Sequence, residues 1–419
     1  TPWHSMVDFE IAERHNLDKE QVIDKYGKLL PIAGEFAGMK IGEAREKIVE
    51  KLKEKGLLVK IEEDYIHNIA TSERTGATIE PQIMEQWFIA VDKPFIIPHS
   101  EIPGIESGSE VTLKKLMKKA VESGEVDMPQ EGFRNTYFHW VENLHDWCIS
   151  RQIWFGHRIP VWYKGKEIYC DTTPPKEKGW EQEEDVLDTW FSSALWTFST
   201  LGWPEDTSDL KNFHPTTFMS PAYEILPLWV SRMILMSAFH LGQIPFKTVL
   251  IHGLVRAKDG RKFSKSLNNG VDPLEMIQKY GADALRMGLL TGTAIGSDVK
   301  FDENKIKGYK HFANKIWNAS RFVIENTVEN SEFPKDITNE EDKKTFEEFV
   351  KTKEDITLDM ENYRFYLAAE KIYHYFWHTF ADKILEECKI RIKENKDAIS
   401  AKALLFKLLE NQIKVLHPF

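Results

Sequence analysis

Apolar residues recur every three or four positions in several stretches of the chain, which predicts amphipathic helices. The first such stretch is 41–52, whose polar face alternates glutamate and lysine. After about residue 302 strand patterns disappear and the helical spacing dominates. The predicted helices there cover 305–325, 341–358, 365–384 and 401–415. The last part of the chain is therefore predicted to be a bundle of about four helices.

The middle of the chain alternates strand and helix patterns. Two strand-like runs, 158–163 and 167–170, flank a glycine-containing turn and predict a hairpin. Farther on, Phe218-Met219, a helical run over 223–242 and a buried strand over 248–253 follow one another within about 35 residues, the arrangement of a βαβ unit. The sequence therefore predicts an α/β domain with a parallel sheet.

Two prolines bear on the helices of this region. Asp272, Pro273 and Glu275 supply an N-cap, a proline at the first helical position and a capping-box glutamate, so a helix is predicted to start there. Pro227 falls within the helical run 223–242, where an interior proline costs about 3 kcal/mol, and the sequence gives no reason for it.

Composition narrows the class of protein. The chain has 419 residues, enough for two to four domains, and 42% of them are hydrophobic, which excludes global disorder. Its net charge of −11 does not indicate a general nucleic-acid binder, although a local basic face is sufficient for phosphate contacts. The 3 cysteines are far apart, which argues against a disulfide scaffold or a cysteine-rich zinc site and fits a reducing cytosol. We also expect no signal peptide and no membrane span.

The strongest chemical signal is the loop 260–269, which follows the second strand of the predicted βαβ unit. Lys262 and Lys265, with the hydroxyls of Ser264 and Ser266, could neutralise charge that builds on a pyrophosphate leaving group. Ligands bind at the carboxyl ends of strands in open parallel sheets, which is where this loop is predicted to lie. On spacing alone, a solvated basic loop is the favoured interpretation, because so short a motif also occurs by accident.

Lys262-Phe263-Ser264-Lys265-Ser266 resembles the K-M-S-K-S signature of class I aminoacyl-tRNA synthetases, with Phe in place of Met. Further segments resemble the valine-specific members of this class, and the first of them is shared with the isoleucine-specific members. These segments are 146–152, 156–163, 185–193, 202–204 and 375–382. The resemblance covers essentially the whole chain. It implies part of a class I Rossmann-like catalytic domain with a remnant of an editing domain, followed by an α-helical bundle.

The resemblance implies a division into five segments. They are 1–94, the second half of the editing domain; 95–142, a connective region; 143–256, the second half of the Rossmann-like domain; 257–301, the loop and stem-contact region; and 302–419, the helical anticodon-binding domain.

The resemblance also implies a reaction, the ATP-dependent attachment of L-valine to tRNA(Val) through valyl-adenylate. Lys262 and Lys265 would contact ATP phosphates, Ser264 and Ser266 would support the loop, and Mg²⁺ is expected with ATP. Trp190 and Trp229 would lie near the amino-acid pocket, although ordinary core packing also explains them. We expect no zinc, no membrane partner and a cytoplasmic location. A basic cluster in the helical part is expected to contact the tRNA, with a solvated helix face as the alternative; it comprises Lys305, Lys307, Lys310, Lys315 and Arg321.

The first ten residues resemble the motif T-P-A-H-D-x-x-D-F-E of the editing domain, which hydrolyses mischarged threonyl-tRNA. His4 and Asp8 are retained, whereas Trp3 stands at the alanine position and Ser5 at the first aspartate position. The added volume and the lost carboxylate imply that editing is impaired. A capping or core role for His4 and Asp8 is the alternative.

The second signature of the class, H-I-G-H, does not occur in the chain; His240-Leu241-Gly242-Gln243 resembles it only superficially. We therefore expect the sequence to be a fragment that does not activate valine by itself, unless another chain supplies the amino-terminal half. The alternative is a noncatalytic tRNA-binding or interaction protein derived from such an enzyme.

Overall fold

The computed structural model describes residues 2–66, 68–72, 75–263, 268–327, 334 and 336–419. Contacts within the chain divide it into two compact units, Thr1–Trp87 and Phe88–Phe419.

The first unit contains helix α1 (Met6–His15), a 3-10 helix (Pro31–Phe36) and helix α2 (Ile41–Glu54). The helix predicted over 41–52 is confirmed by α2. Helix α1 begins after Ser5, whose hydroxyl accepts the Asp8 backbone N–H at 3.3 Å, so Ser5 is an N-cap.

The second unit contains strands and helices up to about residue 300 and helices after that. Its strands are β1 (Phe88–Ile89), β2 (Phe95–Ile96), β3 (Glu110–Val111), β4 (Trp147–Cys148), β5 (Ser150–Arg151), β6 (Val161–Lys164), β7 (Glu167–Cys170), β8 (Glu181–Gln182), β9 (Val186–Leu187), β10 (Thr216–Met219), β11 (Phe246–Val249), β12 (Val255–Arg256) and β13 (Val299–Lys300). The helices before residue 300 are α3 (Leu113–Glu122), α4 (Glu131–Glu142), α5 (Thr189–Ala194), α6 (Trp196–Ser199), α7 (Ser208–Phe213), α8 (Ser231–Leu241), α9 (Pro273–Tyr280) and α10 (Ala282–Leu290).

Strands β10 and β11 pair in parallel, with Thr216 opposite Phe246, and α8 connects them. This confirms the predicted βαβ unit, although its second strand is Phe246–Val249 rather than 248–253. A parallel bridge from Asp127 to Thr248 extends the sheet on the other side of β11. Helix α8 is buried along most of its length, from Ser231 to Ala238, because it packs against the core of this unit.

Pro227 does not lie in the interior of α8. A 3-10 turn (Tyr223–Ile225) and a short π-helical segment (Leu226–Val230) precede the helix, and Pro227 occupies the first turn of that segment. A backbone N–H has no intrahelical acceptor at such a position, so the proline removes no hydrogen bond. Its carbonyl accepts the Ser231 hydroxyl at 2.5 Å.

Strands β6 and β7 form the predicted hairpin, with Lys164 opposite Glu167 and Gly165-Lys166 as its two-residue turn. Gly165 has φ of 63°, a left-handed conformation that glycine adopts without strain. The first strand begins at Val161 rather than at the predicted residue 158.

The helical part comprises α11 (Glu303–Thr327), α12 (Glu340–Glu361), α13 (Phe365–His374), α14 (Leu385–Lys393) and α15 (Ala398–Leu416). A π-helical segment, Tyr375–Ile384, joins α13 to α14, so the helix predicted over 365–384 continues beyond its predicted end. Phe312, Phe349, Phe376 and Phe380 form the centre of a separate hydrophobic core. The predicted bundle is confirmed.

Candidate active site

The candidate site lies where β10 and β11 end. After β10 the chain forms the 3-10 turn Tyr223–Ile225, and after β11 it continues through Gly253 into β12. Strand β12 then begins a short hairpin in which Arg256 and Lys262 form an antiparallel bridge. The hairpin therefore projects from the carboxyl edge of the parallel sheet, the usual ligand-binding edge.

A polar network fixes the base of this hairpin. The Asp298 carboxylate accepts the Leu254 backbone N–H at 2.8 Å and pairs with the Arg256 guanidinium. The Tyr223 hydroxyl accepts a hydrogen bond from Arg256 Nη2 at 3.0 Å and lies 3.3 Å from Asp298 Oδ2. The Leu254 hydrogen bond, and then that of Arg256, lower the pKa of Asp298. The network therefore keeps a carboxylate charged between two loop ends.

Gly253 contributes to the same base through its small size. A Cβ atom built at this position would lie 2.0 Å from the Ser297 carbonyl oxygen, a distance at which backbone must move. Glycine is therefore required for the close approach of the two chain segments before β12 and β13.

Lys262 is the first residue of the predicted phosphate-binding motif, and the structure places it beside Glu224. Its Nζ donates to Glu224 Oε2 at 2.6 Å, and its carbonyl accepts Asn269 Nδ2 at 3.2 Å. The Phe263 ring lies edge-on to Phe301, with centroids 6.5 Å apart, consistent with an apolar anchor. The other motif residues, Ser264, Lys265 and Ser266, lie outside the described residues.

Trp190 and Trp229 lie on neighbouring elements. Trp190 belongs to α5, and Trp229 lies in the π-helical segment before α8. Trp229 Nε1 donates to the Ser193 carbonyl at 2.9 Å, which ties the two elements together, and both rings are half-buried against the core. These contacts describe core packing, so the role of both rings at an amino-acid pocket stays a prediction.

His4 has a clear structural role. Its Nε2 accepts the backbone N–H groups of Val22 and Ile23 at 3.1 and 3.2 Å. The proton must therefore be on Nδ1, which donates to the Pro81 carbonyl at 3.1 Å. Since both ring nitrogens are engaged with backbone, His4 joins three segments of the first unit.

The structure also shows the surroundings of Asp8 and Trp3, two other positions of the editing motif. Asp8 is half-buried in the first turn of α1, behind the Ser5 cap. The Trp3 indole N–H is buried and, in the part of the chain that the structure describes, has no hydrogen-bond partner. A buried donor without an acceptor is unfavourable, so Trp3 is not an optimised core residue.

The basic cluster on α11 is mostly engaged within the chain. Lys305 Nζ donates to the Thr291 carbonyl, and burial lowers the pKa of Lys305. Lys310 donates to the Lys279 carbonyl at 2.9 Å, and Lys315 pairs with Asp382. Arg321 lies 3.9 Å from Glu325, and Lys307 is exposed.

The same helix carries an exposed tryptophan. The Trp317 side chain is 71% exposed, and Asn314 and Arg321 lie three residues before and four residues after it, so the three share one face. Trp317 and Asn314 are not part of the basic cluster predicted from the sequence, because neither side chain is charged.

Two further observations concern ligands and membranes. Among the described residues, no group of three or more His, Cys, Asp and Glu side chains is arranged to hold a metal ion. No described helix is long and apolar enough to cross a bilayer.

Sequence reasoning missed the polar partners at the site. Glu224 lies 38 positions before Lys262, and Asp298 lies 42 positions after Arg256. No local pattern links residues so far apart. Glu224 reaches Lys262 because the segments that follow β10 and β11 meet, and Asp298 reaches Arg256 because β12 and β13 pair.

Comparison with known proteins agrees with this architecture. The family model "tRNA synthetases class I (I, L, M and V)" matches residues 4–179 and 171–302, and the model "Anticodon-binding domain of tRNA ligase" matches 342–419. The valine–tRNA ligase of Bacillus cereus is 42% identical over 428 aligned positions, and that of Thermotoga maritima is 43% identical over 432. Both alignments cover 100% of this chain and 46% or 47% of the relative. The chain thus spans about half the length of the curated relatives it matches.

Solved structures show the same fold. The methionyl-tRNA synthetase of Mycobacterium tuberculosis bound by methionyl-adenylate superposes with a TM-score of 0.56 at 18% identity, covering 74% of this chain and 61% of that one. A ternary LeuRS-tRNA-LeuAMS complex from Agrobacterium radiobacter K84 gives a TM-score of 0.51 at 19% identity, covering 69% and 43%. With the family models matching most of its length, the chain belongs to the class I tRNA synthetases of the isoleucine, leucine, methionine and valine group.

Proposed function

We propose that this chain is the portion of a valine–tRNA ligase that supplies the phosphate-binding loop and the tRNA-binding helices. In the complete reaction, ATP activates L-valine as valyl-adenylate, and the valyl group is then transferred to tRNA(Val). The position of Lys262 on a hairpin at the carboxyl edge of β10 and β11 is the observation that carries the proposal. Identity of 42% to a valine–tRNA ligase across the whole chain supports the choice of amino acid.

The chemistry assigned to the loop is electrostatic. Lys262 and Lys265 would hold the ATP phosphates and stabilise the charge that develops as pyrophosphate leaves, with Ser264 and Ser266 supporting them. Mg²⁺ would be bound mainly by the ATP phosphates, as this ion usually is in nucleotide sites. The absence of a structural zinc stays a prediction, as does the division at residues 94, 142, 256 and 301.

The amino-acid pocket would be walled by Trp190 and Trp229. An apolar wall separates valine from threonine poorly, because it cannot strongly reject an isostere that adds a hydroxyl. Such an enzyme needs editing, and we infer that the editing half in this chain is impaired by Trp3 and Ser5.

The helical part would bind tRNA through the exposed face of α11. Trp317 offers an exposed ring on which a base can stack, Arg321 and Lys307 offer positive charge, and Asn314 offers hydrogen bonds. The match of the next helices to an anticodon-binding domain supports this assignment. A local face of this kind is compatible with the net charge of −11.

Because H-I-G-H does not occur in the chain, we infer that a polypeptide with the other half of the catalytic domain is needed for activity. We also infer that the complex acts in the cytoplasm. The same observation favours the second candidate, a noncatalytic tRNA-binding protein derived from this enzyme class.

The two candidates separate in a complementation experiment. The chain is mixed with the amino-terminal half of the Bacillus cereus valine–tRNA ligase, and complex formation, valine-dependent ATP–pyrophosphate exchange and tRNA binding are measured. Exchange in the complex, lost in Lys262→Ala and kept in the matched variant Lys258→Ala, is expected. A stable complex that binds tRNA but shows no exchange would favour the noncatalytic candidate.

A further inference from the structure

The 3-10 turn after β10 contacts both ends of the phosphate-loop hairpin. Tyr223 bonds to Arg256 at the base of the hairpin, and the next residue, Glu224, bonds to Lys262 at the start of the motif. We propose that Glu224 is a latch, which holds Lys262 in the nucleotide-free protein and exchanges it for a polyphosphate oxygen when nucleotide binds. The proposal rests on the phosphate-binding role of Lys262 given above.

The base of the hairpin is held by several contacts at once. Arg256 pairs with Asp298, Asp298 accepts the Leu254 N–H, and the Tyr223 hydroxyl bonds to Arg256. The Tyr223 ring also stacks on Phe133, with centroids 6.4 Å apart and planes within 7°. A network that shares several groups resists the loss of any one contact, so we infer that the base stays fixed.

The contact at Lys262 is of a different kind. Its side chain is 53% exposed and that of Glu224 is 39% exposed, and a 2.6 Å hydrogen bond joins them. Exposed ion pairs contribute little to stability, because water competes for both charges. This pair can therefore keep Lys262 in place without preventing its release.

A polyphosphate is a stronger partner for Lys262 than a carboxylate. It carries several negative charges and more acceptor oxygens, so its hydrogen bonds to an ammonium group are charge-assisted and numerous. Once Lys262 turns to the polyphosphate, the negative charge of the released Glu224 carboxylate repels the polyphosphate. Glu224 therefore opposes binding twice, by competing for the lysine and by its own charge.

The test uses inorganic pyrophosphate as the probe and the full chain as the protein. Isothermal titration at low salt compares the natural chain with Glu224→Gln and with the control Asp259→Asn, which removes a carboxylate of the same hairpin that pairs with Arg261 instead. We expect Glu224→Gln to bind pyrophosphate about two- to fivefold more tightly, the factor available from an exposed pair. The gain should disappear when Lys262→Ala is added, and it should shrink at high salt because the charges are screened.

A second readout needs no ligand. Trypsin cleavage after Lys262 should be faster in Glu224→Gln than in the natural chain, since the Lys262 side chain is released from its ion pair and can enter the protease. Asp259→Asn should accelerate cleavage after Lys262 less. Unchanged or weaker pyrophosphate binding in Glu224→Gln, or an equal gain in Asp259→Asn, would overturn the latch. If neither the natural chain nor any variant binds pyrophosphate, the phosphate-site proposal fails. The latch is then tested by cleavage alone, and equal cleavage rates in the natural chain and Glu224→Gln overturn it.

Discussion

A buried ion pair between α12 and α14 allows a quantitative prediction for the helical part. Arg391 donates to both Asp342 oxygens, at 2.7 and 2.8 Å, and the two side chains are 17% and 5% exposed. Asp342→Asn would leave the guanidinium facing an amide, a mostly buried charge without its partner. Breaking a fully buried pair costs about 3–5 kcal/mol, and because Arg391 still reaches water we expect roughly 2–3 kcal/mol.

The assay is urea denaturation followed by circular dichroism, with the slope compared between variants. The double variant Asp342→Asn/Arg391→Met is the control, since it removes the stranded charge together with its partner. It should recover most of the lost free energy of unfolding, to within about 1 kcal/mol of the natural chain. A single variant that loses less than about 0.5 kcal/mol, or a double variant less stable than the single, would refute the reasoning.

The same pair predicts a pH dependence. Burial raises the pKa of Asp342, but hydrogen bonds from Arg391 and Ser400 outweigh it, so the folded-state pKa lies below the ordinary value of 3.8. A lowered folded-state pKa stabilises the protein above the unfolded value, and this stabilisation is lost as pH falls through the folded pKa. The difference in stability between the natural chain and Asp342→Asn should therefore be complete at pH 7 and shrink below pH 3.8. A difference that stays constant down to pH 2 would contradict this.

Three further predictions concern activity. The isolated chain should show no valine-dependent ATP–pyrophosphate exchange, and exchange by the pure chain would contradict this. In a complemented enzyme, Lys265→Ala should lower exchange by two to three orders of magnitude, since one transition-state charge contact contributes roughly 3 kcal/mol. A loss of tenfold or less would count against the phosphate-binding role of Lys265. Binding of tRNA should weaken steeply with salt and fall further in Trp317→Ala, because it depends on phosphate contacts and base stacking. Filter binding at low and high salt checks this, and Lys305→Ala is the comparison because the Lys305 side chain is bonded within the chain. In a complemented enzyme, Trp3→Ala with Ser5→Asp should raise the rate of threonyl-tRNA hydrolysis and leave valyl-tRNA intact. The new aspartate should still cap α1. Rapid threonyl-tRNA hydrolysis by the enzyme with the natural Trp3 and Ser5 would show that Trp3 does not block the pocket.

Local chemistry explains the elements that were predicted correctly. Asp272 caps α9 by accepting the Leu274 N–H at 2.9 Å, as its position before Pro273 indicates. Gly165 forms the turn of the β6–β7 hairpin, and the apolar stripe from residue 365 forms a buried helix face. In each case the residues that form the cap, the turn or the helix face lie close together along the chain, so the local sequence is sufficient to predict the element.

Charge patterns were a weaker guide than apolar patterns. Five basic residues of α11, from Lys305 to Arg321, predicted a basic face, but four of them contact carbonyls or carboxylates of the same chain. Long cationic side chains reach partners on several neighbouring elements, and which partner is near depends on the packing of those elements. For Trp317, by contrast, the sequence pattern does not distinguish an exposed ring from a core tryptophan. Only the structure shows that its side chain is exposed.

The sequence by itself determined α2, α9, the helical bundle, the hairpin, the βαβ unit, the family and the lysine-rich loop, because periodicity, caps and motifs are local. The tertiary structure decided what surrounds that loop. It placed Glu224 on Lys262 and Asp298 on Arg256, engaged both ring nitrogens of His4 and put Pro227 in a first turn. These arrangements depend on segments that are distant along the chain and meet only when β10 pairs with β11, β12 pairs with β13 and the first unit closes around His4, so no local pattern could specify them.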